Sequence, residues 1–195
     1  MKESFNKKTD KSEGRKVRPL YADLSGIYAT SIQGYKYYLV VSCDASRLIW
    51  LKLLKSKHTQ EVYPALQEIR AKAKKATNKK CVYFRADNGT GEFGNIFQES
   101  LTLDRVQFEL SPVYKHSINS VIKGAIRIIS IIARSILYKS RLPYQLWDYA
   151  VEHAIWIKNR VLTTALLYRK GDIFVSTSII PYRTFTRNHL DFQYL

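Results

Sequence analysis

The hydrophobic positions of this chain follow a strand spacing in its first part and a helical spacing further on. Aromatic and β-branched residues fill "YKYYLVVSCD", which predicts a strand, and "RLIWLKLL" predicts its hairpin partner after the short turn "ASR". An earlier strand is predicted at "YADLSG". Thr59 is an expected helix N-cap. Apolar residues then recur at helical spacing, at Val62, Leu66, Ile69 and Ala73.

Two short apolar runs in the middle of the chain predict buried strands. They are "CVYFRAD" and "RVQFEL", and after the break at "NGTG" the segment "EFGNIFQESLTL" predicts a short helix between them. Residues 117–137 predict a long helix without an acidic side chain, and "YQLWDYAVEHAIWIKNRVL" predicts another. Beyond residue 165 the pattern predicts one strand, at "VSTSII". This order predicts an α/β fold with a mixed sheet flanked by helices.

One face of the helix at 117–137 is apolar, which predicts that this face packs into the core. Its predicted core residues are Ile118, Val121, Ile122, Ala125, Ile126, Ile129, Ile132, Ala133, Ile136 and Leu137. A polar stripe lies opposite and consists of Lys123, Arg127, Ser130 and Arg134. This stripe is typical either of a track for nucleic-acid phosphates or of an ordinary solvated helix face, and the pattern does not choose between them.

The charge balance favours a polyanionic partner. The 195 residues carry 32 Lys and Arg against 16 Asp and Glu, a net charge of +16, and the isoelectric point is near 9.8. A field of this sign attracts nucleic acid, DNA first and RNA as the alternative, although a basic protein without such a partner stays open. Because no apolar run reaches transmembrane length and no helix has a clean basic and aromatic division, we expect no membrane partner.

The chain divides into a tail, a core and an extension. Residues 1–17 are polar and basic without the apolar segment of a secretory signal, so we expect a flexible tail. Residues 18–164 form the predicted core, and residues 165–195 a truncated C-terminal extension of it. Cys43 and Cys81 lie far apart in strand-like runs, which is typical of reduced, buried cysteines in an intracellular protein.

Acidic residues are scarce, and two of them lie where predicted strands end. Asp23 lies in "YADLSG", and Asp87 lies in "FRADNGTGEF" before a glycine-rich turn. Carboxylates at the ends of adjacent strands can converge on a hard divalent cation such as Mg²⁺, which keeps coordination positions for phosphate and water. The alternative is that both residues only cap turns, as Asp often does.

The chain also carries a series of short segments. Their order and spacing together are more specific for a protein family than any single segment is. They are "YADLSG", "GYKYYLVVSCDASRLIWLKLLKSK", "FRADNGTGEF", "FELSPVYKHSINSVIKGAIR", "ARSIL", "LPYQLWDYAVEHAIWIKNR" and "IPYRTF". Together they resemble the integrase core of copia-type LTR retrotransposons, particularly fungal ones, over about residues 17–190. The resemblance implies a ribonuclease H-like fold and an Asp, Asp, Glu triad that uses Mg²⁺ or Mn²⁺ to trim DNA ends and join them to target DNA. It assigns Asp23 and Asp87 as the first two catalytic, metal-binding carboxylates.

The third position of the triad departs from the family pattern. The family places a Glu about thirty-five residues after the second Asp, within Asn-Gly-Val-x-Glu-Arg, whereas this chain reads "NSVIKG". Positions 88 to 122 are the thirty-five intervening residues, so the slot holds Lys123. Because an ammonium group repels the metal ion, we expect impaired metal binding and a catalytically dead copy. Glu92 could face the site, but it belongs to the family's ordinary "GEF" context and is not evidently a replacement.

Nucleic-acid binding does not require the missing Glu. The candidate phosphate-binding residues are Lys115, His116, Asn119, Lys123, Arg127 and Arg134. The leading hypothesis is therefore a retrotransposon integrase core by descent, without catalysis. A DNA- or RNA-binding module without chemistry, and a degenerate relic with no function, are the alternatives. The resemblance also implies a nuclear location, and it leaves a homo-oligomer open because the family acts as multimers.

Overall fold

The described strands and helices appear in the predicted order, with an unpredicted strand and an unpredicted short helix added near the C-terminus. The computed structural model describes residues 20–26, 28–43, 46–77, 83–87, 106–111, 120–170 and 173–186. The strands are β1 Leu20–Ser25, β2 Tyr37–Cys43, β3 Ile49–Leu54, β4 Tyr83–Asp87, β5 Gln107–Ser111, β6 Thr163–Lys170 and β7 Ile173–Ile179. The helices are α1 Thr59–Thr77, α2 Ser120–Ser140, α3 Trp147–Arg160 and α4 Pro181–Thr186, and a 3-10 turn at Tyr144–Leu146 precedes α3.

The main sheet has five strands in the order β3-β2-β1-β4-β5. β1, β2 and β3 pair antiparallel, as the predicted hairpin requires, whereas β1, β4 and β5 pair parallel. Parallel neighbours such as β1 and β4 need a crossover connection. In this chain α1 carries the backbone from β3, at one side of the sheet, to β4, which lies beside β1. The predicted mixed sheet with flanking helices is therefore confirmed.

Alternation along the strands gives the sheet two buried faces. On β1, Leu20 and Ala22 belong to a core formed with Leu66 and Ile69 of α1. Tyr21, between them, belongs to the opposite core, which α2 and α3 cover. The face on which a side chain of β1 lies therefore changes from each residue to the next. The position of Asp23 within β1 decides which face its carboxylate is on.

The inner face of α2 packs largely as predicted. Ile122, Ile129, Ala133 and Leu137 are buried against Tyr38 and Val40 of β2 and against α3. Partly buried residues of the predicted face pack around them, namely Ala125, Ile126, Ile132 and Ile136. Val121 is half-buried, and Ile118 lies outside the described residues.

Side chains fix the segments that connect these elements. Glu61, in the first turn of α1, accepts hydrogen bonds from the backbone N–H of Lys55 at 2.7 Å and of Ser56 at 2.8 Å. Burial opposes ionisation of Glu61, but these hydrogen bonds prevail and lower its pKa. The indole Nε1–H of Trp147 donates to the carbonyl of Ala29 at 2.7 Å, which ties the segment after β1 to the start of α3.

The C-terminal part differs from the prediction in the end of α3 and in two added elements, β6 and α4. The helix expected to continue through residue 162 ends at Arg160, and β6 follows it as a strand that the pattern did not predict. β6 pairs antiparallel with β7, which covers all but the last residue of the strand predicted at "VSTSII". Phe185 of α4 packs edge-to-face on Trp50 of β3, with ring centroids 4.9 Å apart. The short helix predicted between β4 and β5 lies outside the described residues.

Candidate active site and nucleic-acid surface

The sheet register brings the two candidate catalytic aspartates to the same edge. β1 and β4 are parallel neighbours, with Ala22 opposite Ala86. The next position on each strand is Asp23 and Asp87, which is the last residue of β4. Adjacent strands lie about 4.8 Å apart, so the two backbones are side by side where carboxyl ends of parallel strands meet.

Alternation assigns the Asp23 side chain to the α2 side of the sheet. Tyr21 and Ser25, two residues away in each direction, both face α2: Tyr21 belongs to that core, and the Ser25 hydroxyl is 2.8 Å from the Tyr28 hydroxyl above the same face. Asp23 is half-buried, and its Oδ1 accepts a hydrogen bond from the backbone N–H of Leu24 at 3.0 Å. One oxygen is therefore oriented by the backbone at the strand end.

Lys123, which the family resemblance assigns to the third triad position, lies on the first turn of α2. The preceding residue, Ile122, is fully buried in the core shared with β1 and β2, whereas Lys123 is exposed. The helix that carries Lys123 thus packs on the face of β1 that carries Asp23. No acidic residue occupies the first turn of α2.

The remaining site residues named from the sequence belong to the segments before α2 and after β4. Lys115, His116 and Asn119, which precede α2, lie outside the described residues, as does Glu92. Within the described ranges, no three His, Cys, Asp or Glu side chains group closely enough to hold a metal ion. The described donors do not complete a site for Mg²⁺ or Mn²⁺, which prefer several oxygen ligands in near-octahedral array.

The three cations of the predicted polar stripe, Lys123, Arg127 and Arg134, are exposed, whereas Ser130 is half-buried and turns its hydroxyl toward Tyr38. Arg127 and Arg134 are both exposed, and they lie seven residues apart, about 10 Å along the helix. The Nε–H of Arg134 donates to the carbonyl of Ser130 at 3.2 Å, which holds the guanidinium along the helix surface. The structure thus presents these cations to solvent, as a phosphate track requires.

A cleft beside this stripe is a feature that sequence patterns did not indicate. It has a volume of about 320 Å³, and its lining residues are Tyr28, Ser130, Ala133, Arg134, Leu137, Tyr144, Trp147 and Val151. In the sequence, the cleft is marked only by aromatic residues at strand and helix spacing. Buried core residues show the same spacing, so it does not identify a cleft.

Aromatic rings and hydroxyl groups form the floor of this cleft. Tyr28 stacks on Trp147 with ring centroids 4.7 Å apart and on Tyr38 at 5.5 Å. The Tyr28 hydroxyl donates to the Tyr38 oxygen at 3.2 Å, and the Tyr38 hydroxyl lies 3.3 Å from Ser130 Oγ. Burial raises the pKa of Tyr38 to about 12, against an opposing hydrogen bond from Ser130. Tyr38 therefore stays a neutral hydrogen-bonding group near neutral pH.

Comparison of the sequence with known proteins identifies relatives among transposon polyproteins. No family model matches the sequence. The chain is 27% identical over 177 residues to the retrovirus-related Pol polyprotein from transposon TNT 1-94 of Nicotiana tabacum, covering 90% of this chain. It is 26% identical over 151 residues to the corresponding polyprotein from transposon RE2 of Arabidopsis thaliana, covering 75% of this chain. The chain spans only 12% and 10% of the lengths of these two relatives.

Comparison of the structure with solved structures decides the fold. The catalytic core domain of BIV integrase matches with a TM-score of 0.59 over 87% of this chain and 93% of that one, at 13% identity. The fold is that of a retroviral integrase catalytic core. The HTLV-2 integrase core, solved with magnesium in a trimeric form, matches with a TM-score of 0.50 at 18% identity, over 73% of this chain and 84% of that one.

A larger assembly contains the same integrase-core fold. A chain of the simian T-cell lymphotropic virus intasome in complex with PP2A regulatory subunit B56 gamma matches with a TM-score of 0.65 at 15% identity. The match covers 89% of this chain and 55% of that one. At these identities the likeness establishes the integrase-core architecture. The roles of individual residues depend on the geometry of this chain itself.

A membrane-spanning segment is not among the described elements. No helix in the described part of the chain combines the length and apolar character needed to cross a bilayer.

Proposed function

We propose that this chain is the catalytic-core part of a copia-type retrotransposon integrase, of fungal-like kind, that binds DNA and has lost metal-dependent polynucleotidyl transfer. The observation that carries the proposal is Lys123, exposed on the first turn of the helix that covers the Asp23 face of β1. The transposon relatives and the integrase-core fold support the descent. The lysine supports the loss of catalysis, because the triad needs a carboxylate there.

The charge of Lys123 opposes a divalent ion at this edge. Two unit charges about 4 Å apart interact by roughly 4 kcal/mol at an effective dielectric of 20, so an ammonium group facing Mg²⁺ is repelled by roughly 8 kcal/mol. The side chains proposed for the site therefore fit a metal-dependent reaction poorly, and we assign the chain no catalytic step.

The test is a paired assay of the wild-type chain and Lys123→Glu on short DNA ends with Mg²⁺ or Mn²⁺. We expect no nicking or strand transfer from the wild type and a gain of activity from Lys123→Glu. Metal binding gives a second readout that does not depend on turnover. Mn²⁺ is expected to raise the melting temperature of Lys123→Glu but not of the wild type, because a ligand that binds only the folded state stabilises it.

Asp23→Asn in the Lys123→Glu background is the matched control. It should abolish both the regained activity and the Mn²⁺-dependent rise in melting temperature, because it removes a proposed metal ligand. Strand transfer by the wild-type chain, unchanged in Lys123→Glu, would overturn the proposal and direct attention to Glu92 as the third ligand.

For DNA binding, we propose phosphate contacts from the basic stripe of α2. Arg127 and Arg134 are exposed on a helix without an acidic residue, and the chain carries a net charge of +16. Lys115, His116, Asn119 and Lys123 complete the proposed track. Such contacts give affinity that is largely independent of sequence and falls as salt rises, by roughly 0.9 in log–log slope per phosphate neutralised.

Arginine variants test the DNA-binding part of the proposal separately from catalysis. Replacing Arg127 and Arg134 together by alanine should weaken binding to a short duplex and reduce the salt slope by about two. The matched control replaces Lys74 and Lys75, exposed cations in the last turn of α1, and should leave both quantities nearly unchanged. If both pairs of substitutions weakened binding equally, the affinity for DNA would come from the overall positive charge of the chain and not from a track on α2.

We also propose a domain organisation and a cellular location for the protein. We assign residues 18–164 to the catalytic core, residues 1–17 to a basic tail and residues 165–195 to an extension of the core. An integrase of this descent would act in the nucleus as a homo-oligomer, which is consistent with neighbours solved as an intasome and in a trimeric form.

A further inference from the structure

Helix α2 carries a second apolar stripe, on the side away from its buried face. Ile128 and Ile131 are 40% and 49% exposed, and Tyr138 is 84% exposed. Ile128, Ile131, Ser135 and Tyr138 are spaced three, four and three residues apart, which places them on one line along the helix. We call these four residues the outer seam. Leu142, 50% exposed, extends it beyond the turn that ends α2.

The outer seam is distinct from the buried face of α2. Ile129 and Ala133, which pack into the core, lie roughly 140° or more around the helix from the seam's centre at 100° per residue. A helix that only covers a sheet needs a single apolar stripe and carries polar residues opposite it. Isoleucine side chains exposed in line along a helix indicate a surface that another apolar surface covers.

Cations border the outer seam on both sides. Arg127 and Arg134 are exposed along one edge, at positions one residue before Ile128 and Ser135. Lys139, exposed one residue after Tyr138, lies along the other edge. No Asp or Glu occurs anywhere in α2. In heptad terms, the seam occupies the two apolar positions and the cations occupy flanking positions that contact the edges of a partner helix.

This charge pattern disfavours a second copy of the chain as the occupant. In an antiparallel pairing of two seams, the Arg127 and Arg134 edges would face each other, and in a parallel pairing Arg134 would face Lys139 of the other copy. Like charges across such an interface destabilise it, and a net charge of +16 adds a general repulsion. Nucleic acid fits no better, because a phosphate backbone neutralises the arginines but offers no apolar surface for Ile128, Ile131 and Tyr138.

We infer that the outer seam of α2 docks an acidic amphipathic helix of a partner protein. The partner helix supplies an apolar stripe for Ile128, Ile131 and Tyr138 and carries Asp or Glu on both edges, opposite Arg127, Arg134 and Lys139. The seam runs over eleven residues, from Ile128 to Tyr138, which is about 15 Å along the helix, so it accommodates roughly three turns of the partner. Apolar contact provides affinity, and the charges select the partner and its register.

A designed peptide probes this chemistry directly. The probe is a fluorescently labelled, side-chain-stapled 14-residue helix with Leu at the two apolar heptad positions and Glu at the flanking positions. Its own glutamates prevent it from self-associating. The comparison peptide has the same composition in shuffled order, so that its charge is equal but its apolar stripe is lost. Fluorescence anisotropy with the full chain at two salt concentrations should give at least about ten-fold tighter binding of the designed peptide.

Substitutions within the seam should change affinity in both directions. Ile131→Ser should weaken binding about five-fold or more, because it removes an apolar contact at the centre. Ser135→Leu should strengthen binding, because it fills the one polar position of the seam. The matched control is Ile32→Ser, which removes an isoleucine that is 66% exposed outside the helix and should change nothing. Circular dichroism checks that each variant keeps its fold, and Ser135→Leu tests the seam even if Ile131→Ser fails to fold.

Three outcomes would overturn the inference. If the designed and shuffled peptides bound equally well, binding would depend only on the attraction between an acidic peptide and a basic protein, and not on the apolar stripe. Affinity unchanged by both Ile131→Ser and Ser135→Leu would place the peptide elsewhere. Sedimentation of the wild-type chain as a dimer that Ile131→Ser converts to a monomer would assign the seam to a second copy instead. A DNA duplex serves as the competitor, and we expect Ile131→Ser to leave its affinity unchanged.

Discussion

A single amide side chain holds the edge of the main sheet to the helix layer, and its removal should be costly. β3 is an edge strand, and its first residue, Ile49, directs its backbone N–H and carbonyl toward α3. Asn159 satisfies both groups. Its Oδ1 accepts from the Ile49 N–H at 2.9 Å, and its Nδ2 donates to the Ile49 carbonyl at 2.8 Å. The side chain thus takes the place of the next strand.

The magnitude follows from the burial of both partners. Ile49 is 3% and Asn159 is 8% exposed, so water does not readily replace the lost amide. Asn159→Ala leaves one buried donor and one buried acceptor without partners, each costing about 1–3 kcal/mol. We expect a loss of about 2–4 kcal/mol in the free energy of unfolding. For a chain of this size, that loss lowers the melting temperature by roughly 5–15 °C.

Urea denaturation and thermal melting measure this loss. Asn159→Asp is an informative second variant, because it keeps the acceptor for Ile49 N–H but places a carboxylate against the Ile49 carbonyl, so it should also destabilise. The control is Gln145→Ala, which removes an exposed amide. If Asn159→Ala stays within about 0.5 kcal/mol of the wild type, the side chain does not serve as the missing strand and the reasoning fails.

Four further substitutions test other parts of the structure. A Cβ at Gly124 meets nothing within 4 Å, whereas at Gly26, with φ of +131°, it meets Tyr37 Cδ1 at 2.7 Å. Gly124→Ala should therefore stabilise by about 1 kcal/mol and Gly26→Ala should destabilise, both measured by urea denaturation; the same sign for both would contradict this. Burial raises the pKa of Tyr38 from 10.0 to about 12, so the stability that its neutral form contributes is complete below pH 10 and is lost as pH rises through about 12. The melting temperature of Tyr38→Phe should fall less steeply than that of the wild type between pH 9.5 and pH 11.5, and parallel curves would refute the assignment. Hydrogen bonds from Lys52 and Lys72 lower the pKa of Glu68 from 4.5 to about 2, so its contribution is present above pH 4.5 and is lost toward pH 2. Glu68→Gln should flatten the acid limb of the stability curve at low salt, and an effect that persists in 1 M salt would argue against an exposed ion pair.

Patterns of neighbouring residues were enough to predict the local elements and the buried side of the longest helix. The β2–β3 hairpin, α1 and the inner face of α2 follow from alternation and helical spacing, because local backbone geometry fixes which side chains share a face. β6 escaped prediction, since its strand-like residues follow α3 after only two residues and without a glycine or proline break. Its identity as a strand depends on pairing with β7.

The placement of the candidate site required longer-range information. The sequence identifies Asp23, Asp87 and Lys123 as the candidate triad positions only through a family resemblance. The parallel register of β1 and β4 is what brings Asp23 and Asp87 to one edge, and the packing of α2 on that face of the sheet brings the first turn of the helix toward them. The aromatic floor of the cleft, where Tyr28 stacks on Trp147, joins residues more than a hundred positions apart.

The two apolar stripes of α2 separate most clearly what sequence and structure each decide. Hydrophobic spacing determined that α2 is a helix with isoleucines on more than one side. It assigned Ile129 to the core face and left Ile128 and Ile131 off that face, but it could not determine what lies opposite each side of the helix, because the covering elements come from distant parts of the chain. Only the packing of α2 against β1, β2 and α3 buries Ile129 and leaves Ile128 exposed. Burial is a property of what lies opposite a side chain, and that is fixed by the tertiary structure.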